Sequence, residues 1–393
     1  MSQERQPDDT SVFYKTGGPL EVAAIPGPTM PERPLLCVYW CVEVGKRHAR
    51  FPHDGLCDFL FYHLDGNRVP FAMWEKSRCA AKIVATASAS KRTLMGVSID
   101  GERGKETREK LSEDEGVRAA VQLWKHNVKH HGVNYVVGDP SEVRAAADKH
   151  LEVFEAFHDI QLILHAFHGT DASEKSYTLL GLQPRDAGTK TDEWATLIQS
   201  LVTTHNIDLL VLNTHVTKWA PDCVVSGPAI LRNTLTQPLP DIDTAVRLIN
   251  KTSLPDTVVV IFSLSVAVVK FAISPTLPEP SGYGAVCKSA TIEEYRMACW
   301  DEMKSATLVD EAQVMIGKLG PHGQPCLWES KETVTHKVKS VFDRYKRARF
   351  GWAIDRIEKA DLYDTCRDTA LPGGYPLTRT VRKLIRDQPA TTH

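Results

Sequence analysis

Three histidines, His165, His168 and His215, fall near the ends of apolar runs, where converging imidazoles could bind zinc. On an extended strand the three-residue spacing of His165 and His168 turns them to opposite faces. No metal site is therefore expected, and hydrogen-bonded core or rim histidines are the plain reading. Cys223 is the mid-chain cysteine that could pair with a histidine as a nucleophile; a disulfide partner or inert thiol explains it more simply. No G-x-S-x-G marks a serine hydrolase. Asp58, Asp100, Asp139 and Glu302 are acids near element ends, with no spacing that pairs them. Helix caps or solvated loop acids account for them. The segment from Ile207 to His215 carries one acid, Asp208, then apolar residues, then Asn213, Thr214 and His215. No cofactor motif is present: neither G-x-G-x-x-G nor a P-loop pattern occurs.

These residues must be positioned by elements that alternate along the chain. Apolar runs rich in branched and aromatic residues predict strands at 35–40, 57–64, 93–100, 133–139, 160–168, 207–215, 257–265 and 350–356. Helical patterns fall between many of them, at 116–130, from Asp139-Pro140 to about 158, at 192–204, at 241–251 and at 330–347. Thr291-Ile-Glu-Glu294 has the form of a capping box. Eight strands alternating with helices predict an α/β fold, a (β/α)8 barrel of the TIM type, with a doubly wound open sheet as the alternative.

Composition narrows the setting. The 393 residues are 42% hydrophobic and 24% charged, with a net charge of -2, which argues against a nucleic-acid or membrane-surface footprint. The small basic group Lys346, Arg347 and Arg349 ends a predicted helix, where cations suit the macrodipole. Nine cysteines without a CxxC pair point to disulfides and an oxidising compartment. Buried free thiols in a cytosolic interaction protein are the competing reading. Asn250-Lys251-Thr252 is a glycosylation sequon. No run resembles a signal peptide or a membrane span. An extracellular protein, secreted or held by an upstream membrane anchor, reconciles these features. Residues 1–34 read as a disordered linker, 35–370 as the barrel and 371–393 as a C-terminal tail.

Several ordered motifs carry a family likeness. Leu36-Cys37-Val38-Tyr39, Leu56-Cys57-Asp58-Phe59-Leu60-Phe61-Tyr62, Tyr283-Gly284-Ala285-Val286-Cys287, Trp328-Glu329-Ser330 through Lys337-Val338, and Phe350-Gly351-Trp352-Ala353-Ile354-Asp355 resemble glycoside hydrolase family 18, the chitinases and chitinase-like proteins. The likeness extends to divergent tick proteins of this type. It implies a sugar-binding mouth at the strand C-termini and disulfides Cys37–Cys57 and Cys287–Cys366, with Cys299–Cys326 as a third. The family hallmark, D-G-x-D-x-D-x-E, aligns with His205 to Leu212. Asp208 is kept, the acetamido-orienting Asp is Leu210 and the proton-donating Glu is Leu212. General acid catalysis contributes about 10²–10⁴-fold, and leucine supplies none.

The resemblance therefore implies a catalytically silent carbohydrate- or protein-binding module, with no catalytic residue. Trp40, Tyr62, His215, Trp219 and Asp355 are the candidate binding residues, and Trp352 reads as core or rim packing. Two alternatives stand beside it. One is an active glycosidase with relocated acids, Asp58, Asp100 or Asp355. The other is the cytosolic interaction protein with reduced cysteines.

Overall fold

A computed structural model describes residues 30–40, 51–64, 78–168, 175–216, 223–273, 283–299, 303, 307–310, 312, 314–319, 324–345, 347, 349–361 and 374–388. Eight parallel strands close into a barrel in the order β1-β13-β7-β6-β5-β4-β3-β2. They are β1 (Leu35–Trp40), β2 (Phe59–Leu64), β3 (Leu94–Asp100), β4 (Val128–Gly138), β5 (Thr178–Pro184), β6 (Leu209–Leu212), β7 (Val259–Ser265) and β13 (Phe350–Asp355). Around them lie α1 (Arg78–Ala89), α2 (Gly104–Leu111), α3 (Asp114–Lys125), α4 (Pro140–Ala146), α5 (Val153–His168), α6 (Thr191–Thr204), α7 (Ile242–Lys251) and α8 (Lys331–Arg344). The expected (β/α)8 barrel is the fold.

Strand alternation divides the core in two. Leu36, Val38, Phe59, Phe61, Leu179, Leu209, Val211, Val259 and Ile261 fill the barrel interior. Their sequence neighbours, among them Leu60, Leu180, Leu210, Leu212, Phe262 and Trp352, pack outward against the helices. Trp352 is wholly buried there.

The expected strand at 160–168 is instead the end of α5. Its apolar run suits a buried helix as well as a strand, and the preceding helix continues through a π-helical turn, Ala147–Leu151. The fifth strand is β5, where Gly181 is required: a Cβ there would stand 1.7 Å from the Asn134 side-chain oxygen. Thr291 to Glu294 does not start a helix, because residues through Glu293 belong to a strand, β9 (Ser289–Glu293).

That strand belongs to an antiparallel sheet inserted between β7 and α8, in the order β10-β11-β12-β8-β9. Its members are β8 (Val268–Ala272), β9, β10 (Thr307–Asp310), β11 (Met315–Leu319) and β12 (Pro325–Trp328). The expected tail at 371–393 contains α9 (Pro376–Asp387), which buries Leu377, Val381 and Ile385. Arg382 of α9 clamps Asp58 at the strand N-termini, one contact at 2.6 Å. No helix among the described residues is long and apolar enough to cross a membrane.

Cys37 is bonded to Cys57, tying the middle of β1 to the start of β2. Cys287 is bonded to Cys223 rather than to Cys366, which lies outside the described residues. The reason is local: Val225 donates to Ala285 and Cys287 to Cys223 through the backbone, which holds the two cysteines side by side. Cys299 is disulfide-bonded but not to Cys326, a buried thiol that contacts the Gln324 carbonyl at 3.7 Å. The Cys223–Cys287 bridge closes a loop of 64 residues, for which chain entropy gives about 4 kcal/mol. A Cys223→Ser/Cys287→Ser double variant should lose about that much in urea unfolding; an unchanged midpoint would refute the bridge.

Candidate functional site at the barrel mouth

The C-terminal ends of the strands turn polar in their inward positions: His63 on β2, Ser98 and Asp100 on β3, Ser263 on β7 and Asp355 on β13. Trp40 ends β1 on the same side. Asp355 is the hub. It accepts hydrogen bonds from the Trp40 indole at 3.0 Å and from the Tyr135 hydroxyl. His215 Nε2 lies 3.0 Å from its other oxygen, off the line of a good hydrogen bond, and Arg356 Nε lies at 3.8 Å. Burial alone would raise the Asp355 pKa. The His215 and Arg356 charges and the Tyr135 hydroxyl outweigh it and hold the carboxyl well below the usual range. Burial and the Asp355 charge push the Tyr135 hydroxyl well above its ordinary value.

Two residues reach this hub through unusual backbone. The β4–β5 register shifts between Val133 and Val136, and Tyr135 within that stretch has φ 58°. Such bulges re-aim side chains near sites. Arg356 follows β13 with φ 53°. Left-handed backbone costs an L-residue roughly 1–2 kcal/mol. Both strained residues converge on one carboxylate, a pattern typical of a functional site.

Two histidines flank Tyr135 edge-on, His63 at a centroid distance of 4.9 Å and His215 at 6.2 Å. Each joins a serine to a carboxylate. His63 contacts Ser98 Oγ at 3.2 Å and Asp100 at 3.5 Å; His215 contacts Ser263 Oγ at 2.6 Å and Asp355. Both serines are buried, and Ser263 Oγ also accepts from the Thr214 backbone. These chains orient imidazoles rather than expose a nucleophile. Glu358, just past Arg356, accepts from the Trp40 backbone at 3.1 Å, and its other oxygen is buried without a hydrogen bond. Burial pushes its pKa up to about 7, with Arg356 opposing.

Of the expected binding residues, Trp40, His215 and Asp355 meet at this mouth. Tyr62 does not: it points outward and stacks on Tyr39. Trp219 lies outside the described residues. Asp58 is at the opposite end of the barrel, and Asp139 caps α4 and pairs with Lys190 at 2.9 Å. Glu302 and the side chains of His165 and His168 lie outside the described positions; the backbone of both histidines is helical, not strand-terminal. Asn250 sits on α7, its amide donating to the Arg344 carbonyl at 3.2 Å.

The hallmark alignment also meets an obstacle. Asp208 precedes β6 at the barrel's N-terminal end and pairs with Lys175. Leu210 and Leu212 face the helices, where no substrate in the barrel mouth would meet them. Leu212 instead helps line a cavity of about 300 Å³ beside the mouth, between the ends of β5 and β6 and α7. A second stretch retains one hallmark position, Gly132, and runs along β4 to the mouth: His131 to Gly138. In that register Asn134 replaces the first motif aspartate after the glycine, Val136 the second and Gly138 the acid. Asn134 is buried and accepts from Asn213 at 3.2 Å. Sequence reasoning missed Tyr135, His63, Arg356 and Glu358; the Gly132-x-Asn134 remnant was the signal that could have led to β4.

No family model and no curated protein sequence matches the chain. Solved structures do. YKL-39, crystallised with chitooligosaccharides, superposes with a TM-score of 0.62 at 16% identity, covering 90% of this chain and 100% of that one. An immunomodulatory active chitinase from Trichuris suis gives 0.59 at 11%, covering 90% and 100%. A chitinase-like agglutinin from Robinia pseudoacacia gives 0.54 at 14%, covering 89% and 99%. The chain has the fold of the glycoside hydrolase family 18 chitinases and chitinase-like proteins, in strongly divergent sequence.

Proposed function

We propose that this barrel binds carbohydrate at its mouth without hydrolysing it, in an extracellular setting. One observation carries the reading: neither register of the hallmark motif supplies a carboxylate at the acid position, which is Leu212 in one and Gly138 in the other. Of the two mouth carboxylates beside Trp40, Glu358 is held by the Trp40 backbone, and Asp355 has its oxygens committed to Trp40, Tyr135, His215 and Arg356. Asp355, so held, stays ionised and cannot deliver a proton to a glycosidic oxygen. YKL-39, solved in the presence of chitooligosaccharides, and a Cycas revoluta chitinase in complex with (GlcNAc)3 make N-acetylglucosamine oligomers the first ligands to try. The disulfides Cys37–Cys57 and Cys223–Cys287 support an oxidising compartment.

Titration of the oxidised protein with chito-oligosaccharides, followed by intrinsic tryptophan fluorescence, should give a saturable change. A flat titration would remove the carbohydrate reading and leave a protein partner to be sought.

A further inference from the structure

The Trp40 ring already has an occupant. The Arg356 guanidinium carbon lies 4.0 Å from its centroid, and Arg356 Nε is 3.8 Å from Asp355. An aromatic face beside a buried carboxylate is a favourable environment for a cation, because the ring quadrupole and the carboxylate attract the same charge. The surrounding charges agree. Among the described residues, Asp355 and Asp100 are the carboxylates around Trp40 and His63, Glu358 joins them when ionised above about pH 7, and Arg356 is the fixed cation. Among the described residues, His63 and His215 are the other titratable groups facing the ring cluster, with Tyr135 between them. Arg356 holds this position from a left-handed backbone, so the chain accepts strain to place the guanidinium there.

We propose that Trp40 and Asp355 form a cation-binding site that Arg356 fills intramolecularly, and that the ligand competing for it carries a protonated amine, as an amino sugar without its acetyl group does. This rests on the mouth being the binding site, as proposed above, and adds the chemistry of its ligand. A neutral acetylated sugar would have to displace a cation from the ring and return nothing to Asp355. An ammonium group replaces one cation with another and keeps both interactions. The site is then self-capped: the free protein holds Arg356 on the ring, and an amine-bearing ligand takes its place.

Arg356→Gly is the informative variant, since glycine suits φ 53° and the relief of backbone strain offsets part of the lost contacts to Trp40 and Asp355. Circular dichroism and a thermal melt check the fold. Calorimetric titration below neutral pH with glucosamine oligomers should show binding to Arg356→Gly about tenfold tighter than to the parent protein. Arg356→Lys, which keeps a cation, should stay near the parent. Acetylated oligomers should gain much less from Arg356→Gly. No gain for the amine, or an equal gain for both sugars, would overturn the cation site. Binding of acetylated oligomers to the parent protein is read separately, so failure of the mouth reading and failure of the cation site give different results.

Discussion

Lys337→Met should destabilise the protein by about 3–5 kcal/mol. Lys337 and Glu329 are both fully buried, with Nζ 2.5 Å from the carboxylate. Lys337 also donates to the Ala229 carbonyl at 2.9 Å, and Thr333 donates to the second Glu329 oxygen at 2.7 Å. Burial pushes the Glu329 pKa up and the Lys337 pKa down, each opposed by its partner's charge. Removing the lysine leaves a dry carboxylate that must take up a proton or lose its site. The double variant Glu329→Leu/Lys337→Met should recover most of the loss, because two apolar groups leave no charge stranded. Urea unfolding of the three proteins decides this; a single variant as stable as the parent would mean that the pair is hydrated in solution. The effect extends to the mouth. Ala229 forms a β-bridge with His215, so Lys337 anchors the segment that holds His215 against Asp355.

Acidification from pH 7 to pH 4 should remove stability through two buried histidines, about 6 kcal/mol between them, with Glu358 offsetting about half of it. His130 lies inside the barrel between Phe59 and Tyr177, and its Nδ1 accepts the Tyr177 backbone N–H at 3.0 Å. A proton on that nitrogen would face a donor. His131 is buried against Phe157. Burial lowers their pKa values to about 3 and about 4, from an ordinary 6.5. Depressed values mean that the native state favours the neutral form. Their contribution is whole above pH 6.5 and is lost as the pH falls through the native values, roughly 3 kcal/mol each by pH 4. Glu358 acts with the opposite sign. Raised to about 7, it contributes stability below 4.5 that disappears as the pH rises through 7, an offset of roughly 3 kcal/mol on acidification. In chemical denaturation at both pH values, His131→Leu should remove about half of the histidine effect. An equal loss in parent and variant would assign the acid sensitivity to other groups.

Most of the barrel was legible because seven of its strands are short apolar runs flanked by helical periodicity. The failures have physical causes. Ile160 to His168 is apolar enough for either a strand or a buried helix, and only the unbroken continuation from Val153 decides for helix. Thr178 to Pro184 was overlooked because Gly181 and Gln183 interrupt its apolar pattern, although Gly181 is there to admit Asn134. Cysteine pairing follows the backbone bonds that join Cys223 to Cys287, which spacing along the chain does not encode. At the mouth, Trp40, His215 and Asp355 could be named from strand ends. Tyr135 and Arg356 could not, since they depend on a register shift and on left-handed backbone. The hallmark alignment went to β6 because Asp208 preserves one acid there. The alternation of Leu210 and Leu212 toward the helices argues against that choice.

The central claim is binding without hydrolysis. Prolonged incubation of the oxidised protein with a chito-oligosaccharide, at a concentration that saturates the fluorescence change, followed by mass spectrometry of the sugar, tests it most directly. The account predicts that the oligosaccharide is recovered intact. Time-dependent shorter oligomers that persist in a Glu358→Gln variant would point to another acid, and products abolished by that substitution would identify Glu358 as a relocated proton donor; either would contradict it.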